Sequence, residues 1–331
     1  LKFMKILITG SAGFIGYNFS KFLLTNTDFN IIGIDNFNDY YDVNLKKNRN
    51  NILLKFKNYK FKKIDICNNK DLKKIFKSEK FDFVFHFAAQ AGVRYSIKNP
   101  RKYIDSNYLG FFNILENSNL YKIKRLFYAS SSSIYGENSK FPLKEKYFTN
   151  PKNIYGLSKK SNEELSEFYN RYYGLKSVGL RFFTVFGEWG RPDMMMIKYI
   201  SAFFFKKTFI LNNFGNHVRD FTYIGDVVKI LFLLLKKNKK IQNFDVLNIC
   251  SSKPIPLKKI IKIMEMNKIK PKVKKTSLQM ADIIKTHGDN RKILKIIKFK
   301  KFSSIEDSIK KTIMWYKDYF FKKIINKNLF K

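Results

Sequence analysis

The chain has 331 residues, 45% of them apolar and 27% charged, and 65 Lys and Arg against 26 Asp and Glu give it a formal net charge of +39. That length and apolar content exclude a disordered chain and allow about two domains around a large core. The lysines are spread along nearly every segment and no nucleic-acid-binding motif accompanies them, so the charge predicts salt-sensitive nonspecific adsorption and no specific nucleic-acid site.

Lys5 to Thr9 reads as a strand, followed by a turn holding Gly10, Gly13 and Gly16, and by a helix over Phe14 to Thr27. Asn30 to Ile34 reads as a second strand that ends at Asp35, about twenty residues past the last glycine. Glycines there allow a tight turn, a close backbone approach to a pyrophosphate and close helix–sheet packing. The amides of the new helix then face the phosphate charge. An acid at the position of Asp35 holds ribose hydroxyls and repels a 2′-phosphate, which favours NAD over NADP. Asp39 to Asn58 reads as a loop with a short helix, Tyr59 to Ile66 as a third strand and Asn69 to Ser78 as a helix. The near-continuous apolar run Phe81 to Phe87 suits a strand buried on both faces of a parallel sheet.

A long helix is predicted over Pro100 to Asn119, strands over Lys124 to Ala129 and Lys176 to Phe182, and between them a helix over Tyr155 to Tyr173 that ends at Gly174. This alternation predicts an α/β fold, a doubly wound parallel Rossmann sheet. After Phe183 it breaks. Glu188 to Asp193 reads as a loop, Asp193 to Phe205 and Ile224 to Leu235 as helices, Gly215 to Tyr223 as a return toward the core, and Val246 to Cys250 as a strand. Short lysine-rich elements and an amphipathic helix over Ser303 to Phe320 complete the chain. The expected division is a cofactor domain over 4–183, with 220–253 returning to it, and a smaller substrate-binding domain from 184–219 and 254–331. The cleft between them is where a ligand is expected.

Tyr155 and Lys159 form Y-x-x-x-K, a spacing that puts both side chains on one helix face. A nearby ammonium lowers a phenol's pKa and suits it to take a proton from a sugar hydroxyl. Upstream, Ser130 to Gly136 reads SSSSIYG at a strand's C-terminal end, where a doubly wound sheet does its chemistry. A serine there can bind the same hydroxyl. His86, His217 and His287 share no spacing, so they read as structural and no metal site is expected. The start shows no signal-peptide pattern, no apolar run reaches the ~18 residues of a membrane span, and Cys67 and Cys250 show no pairing pattern. A cytoplasmic protein without membrane insertion is expected.

These motifs, with Asp65-Ile66, HFAAQAGVR at His86 to Arg94 and RDFTYI at Arg219 to Ile224, resemble the extended short-chain dehydrogenase/reductases, the NAD-dependent nucleotide-sugar epimerases and dehydratases. The resemblance runs from Lys5 to about Phe320. It implies Ser131, Tyr155 and Lys159 as the catalytic triad, with Tyr155 and Lys159 also against NAD. The cofactor would be cradled by Gly10, Gly13, Phe14, Ile15 and Gly16. Asp35 and Asn36 would hold the adenosine ribose, Asp65 and Ile66 the adenine, and Phe87, Ala88 and Ala89 would line the cleft. Arg219 would take the substrate's pyrophosphate and Asp282 its uridine side. Within the family, LRFFTVFGEWGRPDM at Leu180 to Met194 and AAQAGVRYS at Ala88 to Ser96 resemble the UDP-glucuronate 4-epimerases. That implies contacts from Thr184, Arg191, Ser132 and Ser133 to the sugar carboxylate, and from Arg94 to substrate anions. Guanidinium is the preferred bidentate partner of a carboxylate. Glu188 stands where that group usually has proline, Gly225 replaces a usual acid, and Gln279 stands where some members use arginine. Related dehydratases and decarboxylases carry an acid in the segment held here by Ser131 to Ser133, and none lies between Ser130 and Gly136.

The resemblance therefore implies an isomerase that converts UDP-glucuronate to UDP-galacturonate through a 4-keto sugar, for surface polysaccharide precursors. The alternatives are a UDP-glucose/UDP-galactose 4-epimerase and a UDP-glucuronate decarboxylase. The helices near Pro100 to Asn119 and Tyr155 to Tyr173 resemble those that pair in the family's dimers, so a homodimer is expected.

Overall fold

A computed structural model of the chain describes residues 4–137, 140–279 and 282–325. Twelve strands are described: β1 Lys5–Thr9, β2 Asn30–Asp35, β3 Tyr59–Lys63, β4 Phe83–His86, β5 Arg125–Ser131, β6 Ser177–Phe182, β7 Thr184–Phe186, β8 Phe209–Leu211, β9 Val218–Tyr223, β10 Phe244–Ile249, β11 Pro254–Pro256 and β12 Val273–Lys275. Seven of them form one parallel sheet in the order β10-β6-β5-β4-β1-β2-β3. The order reverses at β1, so the carboxyl ends of β1 and β4 open the crevice where a doubly wound sheet takes a ligand.

The central strands are apolar on both faces because helices cover both. One face of the sheet carries the helices Phe14–Asn26, Ile224–Lys236 and Arg291–Ile297, and its core includes Phe19, Phe85 and Phe127, with the last two rings stacked 4.6 Å apart. The other carries Asn69–Glu79, Gly110–Leu120 and Ile154–Tyr173, through Phe76, Phe111 and Tyr169. A third cluster packs the helices Met195–Phe204, Leu257–Met266 and Ile305–Ile325 together, around Tyr199, Ile260 and Ile309.

Four expectations change in detail. The short helix after β2 has 11 residues, Val43–Leu53, and is capped by Asp42, whose carboxylate accepts the Asn44 amide at 2.9 Å. Strand β3 ends at Lys63, which leaves Asp65 and Ile66 in a turn. Pro100–Asn119 is no uniform helix. Its middle, Ile104–Leu109, is a π-helical stretch that then passes into the α-helix Gly110–Leu120. Such wide turns recur at functional sites, and this one lies against the helix that carries Tyr155 and Lys159. Finally, β9 does not join the main sheet but pairs with β7 and β11 in a separate three-stranded one.

Candidate active site

The glycine turn is built as the dinucleotide reading requires. Gly10 has φ +66°, and a Cβ there would lie 2.7 Å from the Ala88 nitrogen; at Gly16 it would lie 2.2 Å from the Gly10 carbonyl oxygen. Only glycine fits either place. The helix Phe14–Asn26 starts at Gly13 with no side-chain cap and no acid in its first turn. Its first amides are therefore free to meet an anion. Asp35 closes β2 beside this turn, accepting the Ala12 amide at 3.2 Å and the Phe37 amide at 2.8 Å. Burial raises its pKa, against the pull of the Lys46 ammonium and those two amides.

A cleft of about 360 Å³ opens over the carboxyl ends of these strands. Its walls bring together Gly10, Gly13, Phe14, Ile15, Gly16, Asp35, Asn36, Ile66, Phe87, Ala88 and Ala89 at one end, and Ser131, Ser132, Ser133, Tyr155, Lys159, Thr184 and Arg191 at the other. A glycine cradle, an uncapped helix N-terminus and a strand-end acid fit NAD. Asp65 does not line the cleft; it stands just behind, accepting from the Asn36 amide at 2.9 Å and the Cys67 backbone N–H at 2.8 Å.

Tyr155 and Lys159 lie on one face of the helix Ile154–Tyr173, but their electrostatics differ from the simple pairing of phenol and ammonium. Burial raises the Tyr155 pKa, and the groups that ease it down are the Ser131 hydroxyl and the Arg191 guanidinium. Lys159 is 1% exposed, and burial pushes its ammonium down to about 8. The sign of the consequence follows. The folded chain gives up this proton near pH 8 and the unfolded chain near 10.5. The buried charge therefore destabilises fully below pH 8, by about 3 kcal/mol, and the penalty fades from pH 8 to 10.5. Lys159→Met should raise the melting temperature of the cofactor-stripped protein at pH 7, raise it less at pH 10, and abolish turnover. Thermal unfolding at the two pH values checks this, and no gain at pH 7 would contradict it.

Arg191 sits in the loop before the helix Met195–Phe204 and is held by its neighbour. Its Nε and Nη2 donate to the two carboxylate oxygens of Asp193, each at 2.9 Å, and the Tyr40 hydroxyl donates to the same carboxylate at 3.1 Å. Burial works against its charge, but Asp193 outweighs burial and holds the guanidinium above its ordinary pKa. A guanidinium has five N–H groups, so the edge facing away from Asp193 can still take a second carboxylate. Glu188 does not compete for it. Its carboxylate accepts the Tyr223 hydroxyl at 2.8 Å, and it is not among the residues that line the cleft.

The remaining predicted residues form a second group outside the lining. Arg94 donates to both carboxylate oxygens of Asp282, at 2.8 and 2.7 Å from Nη2, with His217 Nε2 3.6 Å from the same carboxylate. Arg219 donates to the carbonyls of Val218 at 3.0 Å and Ile284 at 2.9 Å, and to that of Ile283. Burial brings its pKa down to about 10. Of the other two histidines, His86 is buried, with Nδ1 2.7 Å from the Thr9 hydroxyl, and His287 is half-buried with its ring stacked on Phe141.

Three supports of the site escaped the sequence reading. Asn107, in the π-helical stretch, exchanges bonds with Gln90 at 2.8 and 3.0 Å and donates to Ser158 at 3.0 Å. Ser158 in turn donates to the Tyr155 carbonyl at 2.8 Å. Behind the serine run, Glu163 accepts from Nε and Nη2 of Arg181, at 2.9 and 2.7 Å, and from the Ser130 hydroxyl at 2.5 Å. The third is Arg49, which donates to the carbonyls of Ala12 in the glycine turn and of Trp189, two residues before Arg191. The only local signal for any of them was position: Glu163 falls one turn past Lys159 on the same helix face.

Comparison with known proteins agrees with this geometry. The model of the NAD dependent epimerase/dehydratase family matches residues 6–250. The chain belongs to that family. It is 40% identical over 316 residues to the UDP-glucuronate 4-epimerase of Thermodesulfobacterium geofontis, covering 94% of this chain and 96% of that one. It is 41% identical over 337 residues to Protein CapI of Staphylococcus aureus, covering 96% and 100%. Among solved structures it superposes, with TM-score 0.90 and 30% identity over 96% of this chain and 100% of the other, on the UDP-glucuronic acid 4-epimerase of Bacillus cereus in complex with UDP-glucuronic acid and NAD. The family membership carries dependence on NAD. No helix among the described residues is long and apolar enough to cross a membrane.

Proposed function

We propose that this enzyme inverts C4 of UDP-glucuronate to give UDP-galacturonate. The observation that carries the reading is the placement of Arg191, with one edge unspent, in the same cleft as Tyr155 and close enough to influence its phenol. In this reading Tyr155, as the phenolate that the Ser131 hydroxyl steadies, takes the proton from the sugar's O4 and becomes the neutral phenol. The chemistry that bound NAD would supply is reversible hydride acceptance at C4. Lys159 holds a ribose hydroxyl of the cofactor. Gly10, Gly13 and Gly16 with Phe14 and Ile15 shape its pyrophosphate cradle, Asp35 and Asn36 meet the adenosine ribose, and Asp65 and Ile66 flank the adenine.

The 4-keto uronate is a β-keto acid. Arg191, Thr184, Ser132 and Ser133 hold its carboxylate and keep it from the geometry that favours loss of carbon dioxide. Arg219 serves the substrate's pyrophosphate, Arg94 the substrate's anions and Asp282 its uridine side. Residues 4–183 with 220–253 hold the cofactor, and 184–219 with 254–331 hold the substrate. The likeness to the Thermodesulfobacterium and Bacillus enzymes supports the uronate over a neutral sugar. The absence of an acid between Ser130 and Gly136 supports epimerisation over decarboxylation or dehydration. Side-by-side incubation with UDP-glucuronate and UDP-glucose tests it. Turnover of the uronate without release of carbon dioxide is expected; preference for UDP-glucose would make this a neutral-sugar epimerase.

The enzyme works in this reading as a cytoplasmic homodimer that supplies a precursor for surface polysaccharide. Two adjacent helices support the dimer by leaving apolar side chains uncovered, Leu109, Phe112 and Leu120 beside one another and Leu157, Phe168 and Tyr172 on the next, Tyr172 being 64% exposed. Monomers rarely leave such a patch in water. Light scattering at micromolar concentration should give twice the chain mass, and Phe168→Glu should halve it; a monomeric wild-type protein would refute the dimer.

A further inference from the structure

Arg49 is fully buried, in the helix Val43–Leu53, and among the described residues it has no ion-pair partner. Its fork reaches in two directions. Nη1 donates to the Ala12 carbonyl in the glycine turn at 2.9 Å and to the Tyr41 hydroxyl at 2.8 Å. Nη2 donates to the carbonyl of Trp189 at 2.5 Å and lies 3.5 Å from that of Gly190. Arg191 is the next residue. Its charge is felt at Asp35, but a buried guanidinium that no carboxylate contacts directly is a poor device for stability alone. The segment it grips is also strained. Trp189 is held at φ +60°, a left-handed backbone that bulky residues avoid, with its indole packed between Tyr17 and Trp315 at 5.2 and 5.3 Å. Such strain persists where the surroundings over-determine it, and it clusters at functional sites.

We infer that Arg49 is the positioning residue that sets the Arg191 arm against the cofactor turn, and through it the enzyme's grip on the sugar acid. Arg49 touches neither substrate nor cofactor on this reading, which rests on the function proposed above. Its planar fork spans the two segments at once, whereas a lysine ammonium in its place is a point charge without that fork. A displaced arm loosens the carboxylate. The loosened 4-keto acid then has a second fate: its C5–C6 bond breaks, the electron pair passes into the C4 ketone as an enolate that takes up a proton, and carbon dioxide leaves.

The test compares wild type, Arg49→Lys, Arg49→Met and Val178→Ala, the last a cavity in β6 that serves as a control for lost stability alone. NAD content, KM for UDP-glucuronate, the inhibition constant of UDP, which has no carboxylate, and carbon dioxide release are measured for each. In both Arg49 variants KM is expected to rise tenfold or more, with UDP inhibition and NAD content within twofold of wild type and carbon dioxide now detectable. Val178→Ala leaves all four unchanged. A wild-type KM and no carbon dioxide in either folded Arg49 variant overturns the inference, as does an equal response in Val178→Ala. A wild-type enzyme that ignores UDP-glucuronate removes the function reading itself, a failure seen before any variant is made.

Discussion

Tyr155→Phe is expected to lower turnover of the UDP-sugar about 10³-fold while the protein stays folded and keeps its NAD. The size follows from the role: a positioned general base contributes about 10²–10⁴. Phenylalanine removes the hydroxyl alone, from a side chain already half-buried against Tyr103, whose ring centre lies 6.2 Å away. The fold therefore has little to lose. The pH profile carries a second expectation. Because burial raises the Tyr155 pKa and both Ser131 and Arg191 pull it back, Arg191→Met should move the ascending, acidic limb of kcat/KM, which reports the base, to higher pH as well as weaken binding. Near-normal turnover of Tyr155→Phe would remove Tyr155 from the chemistry. An unmoved limb in Arg191→Met would separate Arg191 from the phenol.

The second large effect is on stability. Glu163→Ala should destabilise the protein by about 3–5 kcal/mol, because it leaves the Arg181 guanidinium buried and uncompensated. Arg181 is 4% exposed, and its remaining arm is tied to the Tyr135 hydroxyl and the Glu145 carbonyl, both at 2.9 Å, so it cannot swing out to water. Glu163 also takes the hydroxyl of Ser130, the residue before Ser131. Loss of that anchor should lower kcat in the fraction that still folds. Replacing the pair together, Glu163→Met with Arg181→Met, should cost less than Glu163→Ala alone, since both charges then leave the core. Urea midpoints of the three variants decide it. If the double variant is the least stable, the pair itself contributes net stability and the uncompensated-charge account is wrong.

What the sequence disclosed was whatever is contiguous. The glycine turn, Asp35 and Y-x-x-x-K each lie within one short stretch, and their spacing alone sets strand, turn and helix face. The parallel sheet was legible for the same reason, since each buried strand is a local apolar run. The supports were not, because each joins segments far apart in the chain. Arg49 meets Gly190 across 141 residues, and Tyr40 meets Asp193 across 153. Asn107 was hidden differently: apolar spacing from Pro100 to Asn119 reads as one helix, and a π-helical stretch alters the period without any residue that announces it. The electrostatics of Tyr155 and Lys159 were misjudged because spacing places side chains but says nothing of burial, which dominates both. Sequence likewise cannot show that Glu188, three residues from Arg191, turns away to Tyr223.

The most direct test of the central claim is proton NMR of UDP-glucuronate incubated with the purified enzyme in deuterated water, with no NAD added. The account predicts UDP-galacturonate that keeps protium at C4, because the same hydrogen leaves and returns within one cleft without exchanging with solvent. Deuterium at C4, or no UDP-galacturonate at all, would contradict it.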